Sequence, residues 1–181
     1  DQATGGQLAR LLKSEHFGGA AGKSVLLHHP TGLAAERVLL AGCGKPESAD
    51  AAAFRKMVTH ALGAVQATAA AELVFLLDDV ATKERDRDWQ AQQIGLLAGT
   101  AGYRYTHTLS KPEPGPRLRK VVLGSAGRPA AAAVRALGEG RAMAAGANLA
   151  RELGNLPANI CTPSHLAARA RALAAQHPRL Q

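Results

Sequence analysis

The chain has 181 residues, 46% of them hydrophobic and 20% charged, which is enough apolar material for one domain with a real core and excludes a disordered chain. Lys and Arg number 22 against 14 Asp and Glu, a formal net charge of +8; polyanions are therefore admissible partners, although a basic solvated surface explains the same excess. No apolar run approaches the ~18 residues a membrane span needs, and two widely separated cysteines, Cys43 and Cys161, without a secretory apolar segment point to reduced thiols in a cytoplasmic protein.

Aromatic residues make up only 3%, so the core is expected to be built from Leu, Val and Ala with close helix contacts. Residues 7–13 read as a short helix with Leu8, Leu11 and Leu12 on one face. Residues 24–28 and 36–41 read as strands joined by a short turn at Pro30-Thr31-Gly32, which predicts an antiparallel hairpin. Residues 50–68 read as a helix burying Phe54, Val58, Ala61, Leu62 and Val65, with Arg55, Lys56 and Thr59 turned away.

The nearly continuous apolar run over 72–77 predicts a strand covered on both faces. A helix over 86–101 carries Trp89, Ile94, Leu97 and Ala98, and a polar, proline-rich stretch over 103–116 predicts an exposed loop. A strand over 118–123 leads through Gly124-Ser125-Ala126-Gly127 into one long helix over 129–153. Its apolar stripe reads as Ala142, Ala145, Leu149 and Leu153, with Arg141, Asn148 and Glu152 off to one side, and Gly138, Gly140 and Gly146 placed where another backbone comes close. Gly154 is positioned as a helix C-cap and Pro157 stops the helix resuming. Thr162 then caps a final helix, 163–176, with Pro163 at its first position. Strands alternating with helices give an α/β class, and the hairpin makes the sheet mixed.

The motifs that invite chemistry are incomplete. Gly18-Gly19-Ala20-Ala21-Gly22-Lys23-Ser24 looks like a phosphate loop, but Phe17 stands where its first glycine belongs, and the segment leads into a strand where the motif must open a helix. Gly42-Cys43-Gly44 begins a dinucleotide pattern whose third glycine position is Glu47, a carboxylate where phosphate would approach. The turn over 124–127 joins a strand to a helix and has the context to hold an anion; it is also an ordinary structural turn. Asp78-Asp79 ends a strand, a place where α/β proteins put functional acids, and a strand-end turn explains it equally. The seven histidines lack metal-binding spacing, and no Ser, Cys or His completes a nucleophile set.

The run Gly146-Ala147-Asn148-Leu149-Ala150-Arg151-Glu152-Leu153, followed by Asn155-Leu156-Pro157-Ala158-Asn159-Ile160-Cys161-Thr162-Pro163 and Leu166-Ala167, closely resembles the leucyl aminopeptidases, or cytosol aminopeptidases. In that family an Asn-Leu-Ala-Arg-Asp-Leu-like helix end is followed by Asn-x-Pro-x-Asn and Thr-Pro. Gly5-Gly6-Gln7-Leu8, residues 37–44 and Tyr103-Arg104-Tyr105 before Ser110-Lys111 resemble the family's N-terminal domain in the same order. His165 stands where family members often carry Glu in a capping box, which weakens the helix start and leaves the functional reading untouched.

The resemblance implies a macro-domain-like N-terminal α/β domain over 1–127 with its first strands missing, a linker helix over 128–153, and the start of a truncated catalytic domain over 154–181. It implies that the full-length protein is a metalloaminopeptidase and a homo-hexamer. Two divalent metals, Mn or Zn, held by Lys, Asp and Glu ligands, would activate a water against peptide substrates. Those ligands lie beyond the joint, so no catalytic and no metal residue is assigned here, and the portion in hand is expected to be structural or oligomerising. The chain, starting at Asp1 without Met, reads as a piece of a longer protein. A second reading takes the basic segment with Arg104, Lys111, Arg117, Arg119 and Lys120 against the single acid Glu113 as a DNA-binding surface. The macro-like fold also admits an ADP-ribose-type ligand at 124–127, although a fold does not carry its ligand with it.

Overall fold

The structure is a computed structural model that describes residues 1–77, 80–112, 114–125, 130–177 and 179–180. The strand-end acids Asp78 and Asp79, the acid Glu113, the second half of the 124–127 turn and Pro129 lie outside the described residues. The elements run α1 (Gln7–Ser14), β1 (Ser24–His28), β2 (Arg37–Ala41), α2 (Ala51–Gln66), β3 (Glu72–Leu76), α3 (Arg87–Ala101), β4 (Lys120–Gly124), α4 (Ala131–Asn155) and α5 (Pro163–Gln176).

Helix starts follow directly from local sequence. Asp50 accepts a hydrogen bond from the Ala53 amide at 2.8 Å, and Asp86 does the same for Trp89 at 2.8 Å. Each cap satisfies an otherwise orphaned donor and contributes about 1 kcal/mol. The face that α2 then turns inward is the expected one: Phe54, Val58, Ala61, Leu62 and Val65 are buried, together with Met57. All of these but Val65 meet Phe75, Leu77 and Ile94 in a single core cluster.

β1 and β2 form the antiparallel hairpin, with Ser24 opposite Ala41 and His28 opposite Arg37. β3 and β4 pair in parallel, with Glu72 opposite Lys120 and Leu76 opposite Gly124. The single mixed sheet expected from the sequence is therefore two two-stranded sheets among the described residues. They are joined through the core cluster, against which Leu39 and Ala41 of β2 and Leu73 and Leu123 of the parallel pair all pack.

β3 is not covered on both faces. Phe75 is buried, while Val74 and Leu76 are 49% and 74% exposed. Successive strand residues point to opposite faces, and only one face of this pair meets the core.

α4 buries a different stripe from the one its leucines suggest. Ala136, Gly140 and Ala144 are its buried residues, whereas Ala142 and Ala145 are exposed and Leu149 and Leu153 half-buried. The reason is backbone proximity to α3. A Cβ on Gly140 would lie 2.0 Å from the Gln92 carbonyl oxygen, one on Gly95 would lie 2.4 Å from that of Leu137, and one on Gly99 would meet Ala144 Cβ at 2.5 Å. A side chain on either helix would push the pair apart, so small residues, not large apolar ones, face the seam. Of the three α4 glycines only Gly140 serves this contact; Gly138 and Gly146 face open space.

The two kinds of glycine predict opposite outcomes. Gly140→Ala forces backbone apart, and the overpacking cost of about 1–3 kcal/mol exceeds the helix-propensity gain of about 1 kcal/mol. Gly138→Ala keeps the gain without the clash. Thermal unfolding should therefore show Gly140→Ala melting lower than the parent by several degrees and Gly138→Ala melting slightly higher, at about 2–4 °C per kcal/mol for this size.

Candidate functional site

The carboxyl ends of β3 and β4 and the first turns of α3 and α4 enclose a cleft of about 340 Å³ whose walls include Leu77, Arg87, Asp88, Leu123, Ser125 and Val134. Parallel α/β sheets put ligands at this end of their strands. Gly124 and Ser125, from the turn marked out in sequence, line this cleft; Ala126 and Gly127 are outside the described residues. The polar groups here are largely committed to the fold. The Arg87 guanidinium donates to the Leu77 carbonyl and lies 3.4 Å from Gln90 Oε1. Gln90, buried, donates to the Val80 carbonyl at 2.8 Å and to Thr82 Oγ1 at 2.9 Å.

No set of groups suited to covalent chemistry is brought together. A ring nitrogen of His60 lies 3.1 Å from Ser24 Oγ, but among the described residues no carboxylate orients that ring. Among the described residues no group of three or more His, Cys, Asp or Glu is placed to hold a metal ion. Among them, too, no helix is long and apolar enough to cross a membrane.

All five cations of the basic segment are exposed. Lys120 pairs with Glu72 across the parallel strands at 2.8 Å, and Arg104 folds back onto the Tyr103 and Ala101 carbonyls at 2.9 and 3.4 Å. Lys111, Arg117 and Arg119 make no ion pair among the described residues.

The best-organised polar cluster sits where α3 ends and α4 approaches the joint. Tyr103 Oη donates to Glu152 Oε2 at 3.0 Å and accepts from Asn155 Nδ2 at 3.1 Å. The Arg151 guanidinium lies over the Tyr103 ring, 5.9 Å from its centroid. Asn148 Nδ2 donates to the Gly99 carbonyl at 2.9 Å. Partial burial pushes the Tyr103 phenol above its ordinary value; the Asn155 amide opposes the rise and the Glu152 carboxylate adds to it. Asn148 and Glu152, expected off the apolar stripe of α4, are on the side that grips α3 and the Tyr103 that follows it. The spacing 148, 151, 152, 155 was the available signal, since it is one helical face.

The joint itself differs in one respect from its sequence reading. Gly154 remains helical, outside the residues with positive φ. The helix instead stops at Leu156, which is extended with φ −66° and ψ 135°. The residue before a proline is driven out of the α region, so Pro157 ends α4 without a glycine cap. Thr162 does cap α5, accepting from the His165 amide at 3.3 Å, with Pro163 in the first turn.

Residues 1–112 match the profile of the cytosol aminopeptidase family, N-terminal domain. The chain is 39% identical to a probable cytosol aminopeptidase of Alkalilimnicola ehrlichii over its whole length, and 40% identical to one of Cupriavidus pinatubonensis over 98% of it. It spans 37% and 36% of those relatives. Among solved structures it is similar to the bottromycin maturation enzyme BotP in complex with Mn, with a TM-score of 0.72 and 30% identity over 91% of this chain and 33% of that one. A tomato leucine aminopeptidase variant shares the fold, with a TM-score of 0.76 and 24% identity over 97% of this chain and 34% of that one.

The raised Tyr103 phenol gives a titration test. The fold favours the neutral form, so its contribution is present below the ordinary value of 10.0 and is lost as pH rises through the raised folded value. In a Tyr105→Phe background, phenolate absorbance should appear at higher pH in the folded chain than in the denatured one. Glu152→Gln should move the folded midpoint back down; a folded midpoint at or below the denatured one contradicts the cluster.

Proposed function

The chain belongs to the cytosol aminopeptidase family, and from that premise we propose that the whole protein removes residues from the N-terminus of peptides, with this part acting as scaffold. Residues 1–127 are the N-terminal, macro-domain-like α/β domain, 128–153 the linker helix, and 154–181 the entry to the catalytic domain. The profile match over 1–112, followed by a helix packed backbone to backbone onto that domain, is the observation that carries this reading.

Two divalent ions, Mn or Zn, are the expected cofactors, and the BotP structure that this chain resembles is a complex with Mn. The described residues do not fit such ions, because they bring no set of ligands together. The metals belong to the catalytic domain, and no chemical step is assigned to the residues in hand. Their contribution is to hold a rigid domain against the catalytic part, to shape access to it, and to supply contacts in a cytoplasmic homo-hexamer. The exposed apolar face of β3, with Val74 and Leu76, is the kind of surface such a role leaves for a covering layer. A DNA-binding role is not favoured, since Lys120 is already paired with Glu72 and Arg104 is folded back onto backbone carbonyls.

Peptidase assays on the whole protein test the reading. Hydrolysis of leucine amide substrates should vanish on chelation and return on adding Mn²⁺ or Zn²⁺. Activity indifferent to chelator, or no hydrolysis with either metal, overturns it.

A further inference from the structure

α3 and α4 run in the same direction, and their contact changes character along its length. At Gly95–Leu137 and Gln92–Gly140 the helices touch backbone to backbone, and at Gly99 the space beside the glycine is taken by Ala144 Cβ. α3 then ends at Ala101, while α4 continues to Asn155. Close packing against α3 cannot hold those last turns, because α3 no longer faces them. Their place is taken by a polar grip: Asn148 holds the Gly99 carbonyl, Arg151 covers the Tyr103 ring, and Glu152 and Asn155 engage its hydroxyl from acceptor and donor sides.

We propose that Tyr103 is a positioning residue that fixes the final turns of α4 and so sets the direction in which the chain passes through the joint into α5. The inference rests on reading α4 as the connection to the catalytic domain. A single hydroxyl between a carboxylate and an amide is satisfied in one helix register only. Rotating α4 by one residue, about 100°, carries Glu152 and Asn155 out of reach. The flat ring beneath Arg151 adds an orientation that a small side chain in its place would not impose. α5 buries none of its residues against the rest of the chain, so the direction of the joint depends on the end of α4.

Hydrogen exchange on the full-length protein tests this apart from any peptidase activity. Tyr103→Phe keeps the ring and removes both hydroxyl bonds. Amides 149–156 should exchange faster, on the order of tenfold for a lost bond to a charged partner, while amides 136–144 at the glycine seam keep the parent rate. The distance distribution between spectroscopic labels at Lys56 and Ala158 should broaden in Tyr103→Phe and Glu152→Ala. It should stay narrow in Glu152→Gln, whose amide oxygen still accepts the hydroxyl. Unchanged exchange at 149–156, an equal rise at 136–144, or an unbroadened distance in Tyr103→Phe would each overturn the proposal. A protein that shows the local effect but hydrolyses no peptide would leave the clasp standing and remove the aminopeptidase reading.

Discussion

The structure depends on the absence of side chains at Gly95 and Gly140. With a Cβ at Gly140 only 2.0 Å from the Gln92 carbonyl, α3 and α4 leave no room for a side chain between their backbones there. That approach fixes more than their own pairing. α3 also contributes Ile94 to the core cluster and packs Trp89, Leu97 and Ala98 against it, so a helix locked to α3 is locked to the whole domain. Separating them would cost contacts along several turns at once, which is why small residues here outweigh the larger apolar stripe on the same helix.

This arrangement explains what was legible in the sequence. Elements with a simple local signal were readable: the α2 stripe from Phe54 to Val65, the Ser24–His28 and Arg37–Ala41 hairpin, and the Thr162 cap. The seam was readable only in part: a close backbone approach was expected at the α4 glycines and Gly140 makes it, but the buried stripe was assigned to the wrong face, because hydrophobicity ranks leucine above glycine while a close crossing selects the reverse. The outer face of β3 misled for a related reason. An apolar run reads as covered on both sides, but whether a second layer is present is a tertiary fact that no local pattern contains.

The joint shows the same division. Its diagnostic residues were recognisable as a family signature, and Thr162 and Pro163 did start α5. The end of α4 follows from Pro157 acting on Leu156, with Gly154 a bystander. The Tyr103 cluster joins residues about fifty positions apart, which single-sequence reasoning does not pair. Once formed, it converts an otherwise unsupported helix end into a directed one. Under the proposed function, seam and clasp together give the domain its part: they present α5 in one orientation.

The central claim is that α4 and the α/β domain move as one body. Native-state hydrogen exchange across increasing denaturant measures this directly. If the seam holds, the slow amides of α3 and of α4 between Ala136 and Ala144 open together, with one free energy and one denaturant dependence. If α4 is merely an attached linker, its amides will exchange at low cost while α2 and α3 remain protected, and the account fails.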